Sequence, residues 1–131
     1  MSEINTLVEC RERAVELLMS AERVTVLRTL PGGVRAWILG TARAIWERDG
    51  LRVLGVAATP PRVADFENWI GVRAFDLSLL LDKLQHGIAV LDDETVVLLD
   101  EHGAHADQVA RLLDHVNRGG ARLVRVEDAH V

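Results

Sequence analysis

Apolar positions along the chain fall into two rhythms that take turns, one with a helical period and one in short β-branched runs. From Asn5 to Ser20, Leu7, Val8, Arg11, Val15, Leu18 and Met19 recur near every 3.6 residues, which predicts an amphipathic helix. Val24-Thr25-Val26-Leu27 predicts a strand, and Pro31-Gly32-Gly33 punctuates the chain after it. Val34 to Arg48 predicts a second helix, closed at Asp49-Gly50, where glycine suits a left-handed cap. Leu51 to Ala58 returns as a strand, apolar on both faces apart from Arg52, as expected where helices cover both sides of a parallel sheet.

Thr59-Pro60-Pro61 stops that strand. A short helix over Val63–Trp69 and a longer one over Phe75–Gln85 are predicted next, the latter closed by His86-Gly87. A brief strand over Ile88–Leu91 precedes the Asp92-Asp93 turn. Thr95 to Asp100 is the strongest strand signal, an unbroken Thr-Val-Val-Leu-Leu that ends abruptly in acid. A helix from Ala104 to Asn117, ending at Gly119-Gly120, and a strand over Arg122–Val126 complete the pattern.

Strands alternating with helices predict an α/β fold: a doubly wound, mostly parallel sheet with helices on both faces, in three layers. Ligands in such sheets bind beyond the carboxyl ends of the strands. The loops Thr29–Arg35, Ala58–Arg62, Asp100–Ala104 and Glu127–His130 are therefore expected to share one rim.

Composition narrows the partners. At 131 residues the chain reads as one domain, 1–131, large enough to bury a core unaided. A single cysteine, Cys10, allows no internal disulfide, which suits a reducing, cytoplasmic setting. No His or Lys flanks it, so an inert packed thiol is expected rather than a reactive one. No apolar run approaches the roughly 20 residues of a membrane span, and no membrane partner is expected. The formal net charge of −5 works against general nucleic-acid binding, which rests on phosphate neutralisation.

The sharpest candidate chemistry is Leu98-Leu99-Asp100-Glu101. Paired acids at the end of a buried strand can hold Mg²⁺ through water and poise an attacking water. A strand simply meeting solvent with two charges explains the tetrapeptide equally well. The first strand, however, leads through Pro31-Gly32-Gly33 straight into a helix, where a phosphate-binding loop belongs.

With that context the chain resembles the first motor domain of superfamily one helicases, in particular the RecD-like ATPase part of conjugative relaxases. The likeness runs almost end to end. It includes the Leu7–Leu18 helix with Ala14-Val15, Arg23–Leu27, Ala42–Glu47, Leu51–Gly55, Gly71–Ala74 and Leu79-Leu80-Leu81. Asp100 and Glu101 fall on the family's Walker B pair. Ala110–Asp114 and Gly120–Val124 match the family's next stretches, and Glu127-Asp128 lie near the motif that senses the γ-phosphate. The resemblance implies a P-loop NTPase-like, RecA-like domain.

Departures from the family pattern bear on function. In the loop G-x-x-x-x-G-K-[ST], the first Gly aligns with Thr29, the second with Val34, the Lys with Arg35 and the Ser/Thr with Ala36. Gly32 is a retained family glycine, and Gly33 follows it. A β-branched Val resists positive φ, at about 1–2 kcal/mol if the turn is kept. Arg35 keeps the charge without the compact ammonium. Ala36 lacks the hydroxyl that ligates Mg²⁺. The family's adenine-reading Gln falls on Arg11. Its DNA-touching Thr-Gly-Lys-Ala becomes Thr59-Pro60-Pro61-Arg62, whose prolines offer no N–H. The Gly of its last motif is Glu127, and the sequence carries no second motor domain.

The expectation is a catalytically silent P-loop domain. Asp100 and Glu101 would be vestigial, as would the loop Thr29, Gly32, Gly33, Val34, Arg35 and Ala36, and no cofactor is expected. The domain would serve as a protein-binding or assembly module through a protein partner or as a homodimer. Two alternatives stand beside it. One is a residual Mg-ATP binder or slow ATPase using Arg35 with Asp100 and Glu101; the other is a nucleic-acid-binding fragment, disfavoured by charge. A metal site of Asp100, His102 and His105 with Glu101 fits one helical turn, but no cysteine joins it and His115 and His130 are scattered. Solvated histidines are the preferred reading. Arg28, Arg35, Arg43, Arg48 and Arg52 read as solvated surface rather than a patch. Trp37, Trp46 and Trp69 read as core, with the alternative that one lies exposed at an association surface.

Overall fold

The computed structural model describes residues 2–5, 11–20 and 22–129. Within them the sheet runs in the order β1 (Ser2–Asn5), β2 (Val24–Thr29), β6 (Arg122–Asp128), β5 (Thr95–Asp100), β3 (Arg52–Ala57), β4 (Arg73–Asp76). Every pairing is parallel, with Thr25 beside Val124, Leu98 beside Val124 and Gly55 beside Leu98 in register.

The alternation of Cβ directions along each strand sorts the core into two layers. Val96 and Leu98 of β5 face one cluster, with Ile38, Leu39, Ala42 and Trp46 of α2 (Gly33–Arg48) and Ala14, Val15 and Leu18 of α1 (Arg11–Leu18). Phe66 and Ile70 complete that layer from a π-helical turn, Phe66–Ile70, which continues α3 (Pro60–Asp65). Val97 and Leu99 face the other cluster, with Leu77, Leu80, Leu81 and Leu84 of α4 (Leu77–Gln85) and Val109, Leu112 and Val116 of α5 (Ala106–Gly119). This is the expected three-layer, doubly wound sheet, and among the described residues it is parallel throughout.

Several local expectations are corrected. Asn5 ends a strand rather than opening a helix; Leu7, Val8 and Cys10 lie outside the described residues. Of Glu3, Ile4 and Asn5 only Ile4 is buried, and the strand is too short to show a period. Phe75 and Asp76 are strand, because the Asp76 side chain accepts the Leu79 N–H at 3.1 Å and caps α4 there. Ile88–Leu91 forms no strand, and Ile88 and Val90 are exposed. Trp46 is core as expected, whereas Trp37 is 37% and Trp69 71% exposed. The π-helical turn adds a residue to the helical register, which leaves Trp69 outside while Phe66 and Ile70 stay in.

Phe66 is held by a close approach. A Cβ on Gly55 would lie 2.7 Å from Phe66 Cγ, so only glycine lets the turn settle on β3.

Candidate functional site

The four expected loops do meet at the carboxyl rim, as far as Ala129; His130 lies outside the described residues. The β2–α2 loop enters the helix through Gly32, whose φ of 121° only glycine adopts readily, and no side chain caps α2. The loop then hands Arg35 to the interior. Its Nη2 donates to Thr29 O at 2.6 Å, Glu127 O at 3.1 Å and Asp128 Oδ1 at 2.9 Å. The guanidinium is thus turned under the loop, with its side chain 9% exposed.

Arg62, delivered by the first turn of α3, lies between two strand-end acids. It donates to Asp100 Oδ2 at 3.1 Å, and to Asp128 Oδ1 at 3.3 Å and Oδ2 at 3.1 Å. The other oxygen of Asp100 accepts the His102 backbone N–H at 3.0 Å. Both oxygens of Asp100, whose side chain is 9% exposed, are therefore occupied by protein donors. Burial alone would push Asp128 up, but hydrogen bonds from Arg62 and Arg35 outweigh it and hold that carboxyl below its usual range. The Arg62 guanidinium is correspondingly raised, chiefly by its bond to Asp128.

Glu101 points to a second array. Arg125 donates to its Oε1 at 2.6 Å, while Oε2 is buried without a donor. Burial pushes Glu101 up against the pull of Arg125, and the neighbouring Glu127 carboxylate pushes it further. Glu127 itself is held low: burial opposes this, but Glu101 and the Arg28 guanidinium, 2.8 Å away, prevail. Glu3 on β1 pairs with Arg28 from the far side. The strand ends thus carry two ionic arrays, one around Arg62 and one around Glu101.

Above the first array opens a cavity of about 260 Å³. Its walls are Pro31 and Gly32 of the loop, Gly33, Ala36 and Leu39 of α2, Phe66, Trp69 and Ile70 of the π-helical turn, and Val126 of β6. Arg35, Arg62, Asp65 and Asp100 are its polar groups.

The sequence thus brought Thr29, Gly32, Gly33, Arg35, Ala36 and Asp100 to one place. Val34 stands outside it, nearly half exposed. Asp100, His102 and His105 are not gathered as ligands, and no group of three metal-binding side chains forms among the described residues. His105 instead starts α5, its N–H bonded to Gln108 Oε1 at 3.1 Å. The other arginines do not pool: Arg43 pairs with Glu47, and Arg52 bonds Thr95. Arg62, Asp128 and the Phe66–Ile70 wall were missed as site residues. An arginine beside the two prolines, on the same rim as Asp100, was the available signal.

A parallel sheet of this order, with strand–loop–helix at β2–α2 and an acidic pair closing β5, defines a P-loop NTPase-like domain. The chain belongs to the AAA domain family, which matches residues 8–130. It is similar to the probable conjugal transfer protein TraA of Sinorhizobium fredii (strain NBRC 101917 / NGR234), 30% identical over 119 residues, covering 90% of this chain. Conjugal transfer protein TraA of Agrobacterium fabrum (strain C58 / ATCC 33970) is 31% identical over 123 residues, covering 93% of this chain. The chain spans 11% of the length of each of these relatives. The expected kinship with helicase- and relaxase-like motor domains is borne out. Among the described residues no helix is long and apolar enough to cross a membrane.

Proposed function

We propose that this is a P-loop domain that no longer turns over nucleotide and serves as a protein-binding or assembly module, in the setting of a conjugation protein related to TraA. The observation that carries the reading is the filling of the catalytic rim by the chain's own cations. Arg62 lies between Asp100 and Asp128, and Arg35 is committed to Asp128 and two carbonyls.

A magnesium–triphosphate does not fit these residues as they stand. Both Asp100 oxygens already accept from the protein, Ala36 offers no hydroxyl, and Arg35 Nη2 is engaged by Thr29 O, Glu127 O and Asp128 Oδ1. The cavity, at about 260 Å³, is also below the roughly 300–1,000 Å³ of sites for drug-sized ligands. Calorimetry with Mg²⁺-ATP and Mg²⁺-ADP tests the reading. No saturable heat and no phosphate release are expected; tight binding lost in Asp100→Ala would overturn it.

One observation favours the alternative of residual anion binding: the first turn of α2 carries no side-chain cap and opens beside the cavity. Binding of ADP that survives Asp100→Ala, without turnover, is the result that alternative requires.

A further inference from the structure

We propose that the rim around the β2–α2 loop is a homodimer interface in which Trp69 of each copy enters the cavity of the other. The proposal rests on the reading that this loop does not hold nucleotide, because the two occupants would share the space.

Size and lining select the occupant. A dry cavity of about 150 Å³ holds benzene, so one of about 260 Å³ admits a two-ring indole. Its walls at Ala36, Leu39, Phe66, Ile70 and Val126 are apolar. At its floor Arg35 and Arg62 are balanced by Asp100 and Asp128, so an uncharged ring is favoured over an ion.

The chain itself presents such a ring. Trp69 lines the mouth of the cavity and is left 71% exposed. A knob and a hole side by side on one surface are what a two-fold axis requires, since each copy then gives and receives the same group. Leu30, Val34 and Trp37 are also exposed on the loop and the start of α2. With Trp69 they leave on the order of 400 Å² of apolar surface in water. A standard interface takes about 800 Å² from each partner, of which somewhat over half is apolar. The patch is therefore close to the apolar core of a stable dimer, whereas a small molecule in the cavity would leave most of it uncovered.

Sedimentation of the 131-residue chain up to about 1 mM tests the proposal. The expected result is a concentration-dependent dimer that Trp69→Ala weakens at least about thirtyfold, the far-ultraviolet spectrum staying unchanged because the ring is exposed. A chain that stays monomeric, or a dimer indifferent to Trp69→Ala, overturns the proposal. Mg²⁺-ATP calorimetry on the same samples separates the two readings. A monomer that takes no nucleotide defeats the interface alone, and a Trp69-dependent dimer that binds and hydrolyses nucleotide defeats the silent reading alone.

Discussion

Replacing Arg62 by alanine removes the cation that holds the rim together, and the cost can be worked from its contacts. Arg62 gives three charge-assisted hydrogen bonds, one to Asp100 and two to Asp128. The acceptors do not suffer equally. Asp128, with its side chain 35% exposed, keeps Arg35 and can regain water, so its share is small. Asp100, buried under the loop, keeps only the His102 N–H and is left with an uncompensated charge. Breaking a buried pair from one side costs up to about 3–5 kcal/mol, and the retained donor and partial access bring this to about 2–3 kcal/mol. For a domain of this size that is a fall in Tm of roughly 10 °C.

The sign of the pH dependence is fixed by the same picture. Arg62 is one of the two guanidinium groups that hold Asp128 below its usual range, so part of the penalty should be lost as the pH falls through that lowered value. Thermal unfolding by circular dichroism, in parallel for the wild-type chain and Arg62→Ala between neutral and acid pH, reads both quantities. Removing the guanidinium also leaves two acids facing each other, so Mg²⁺ should raise the Tm of Arg62→Ala and leave the wild type unmoved. A loss below about 0.5 kcal/mol at neutral pH, the range of an ordinary surface change, would refute the claim that Arg62 is the internal cation of this rim.

Three further outcomes rest on local geometry. Gly55→Ala should destabilise by about 1–3 kcal/mol in urea unfolding, because its Cβ would meet Phe66 and push the cavity wall off β3. Asp76→Ala should cost about 1 kcal/mol by the same assay through loss of the α4 cap, and Asp76→Ser should recover most of it. Asp128 is held below its usual value of 3.8, so the stability it adds is present above that pH and lost as the pH falls through its lowered value. Acid titration should find Asp128→Asn less stable at neutral pH and the two chains converging as the pH falls through that lowered value.

The periodicity of the chain carries most of the fold, and where it fails the cause is local. Thr95–Asp100 is legible because six successive residues are buried, which only a central parallel strand demands. Phe75-Asp76 merges into the following helix because an apolar residue before an N-cap looks like another turn of the stripe. The side chain that stops the helix at Asp76 acts through one hydrogen bond, which leaves no trace in the spacing. Trp69 reads as core in the sequence because it is a large apolar ring closing a predicted helix. The helix instead ends in a π-helical turn that keeps Phe66 and Ile70 inside, and the ring comes out into water.

The site is legible in its loops but not in its charge balance, and the reason is distance along the chain. Arg35, Arg62, Asp100 and Asp128 come from four segments, and no spacing links them. What links them is the strand order, which puts β6 between β2 and β5 so that Asp128 pairs with Thr29 and shares Arg62 with Asp100. Once the sheet is built, two cations and two anions share one partly buried rim, and pairing is the arrangement that avoids isolated charge there. A P-loop domain that turns over nucleotide meets the same demand with phosphate and metal, which come and go. Here the four side chains pair among themselves, and the apolar neighbours of the rim, Trp69 foremost, stay exposed.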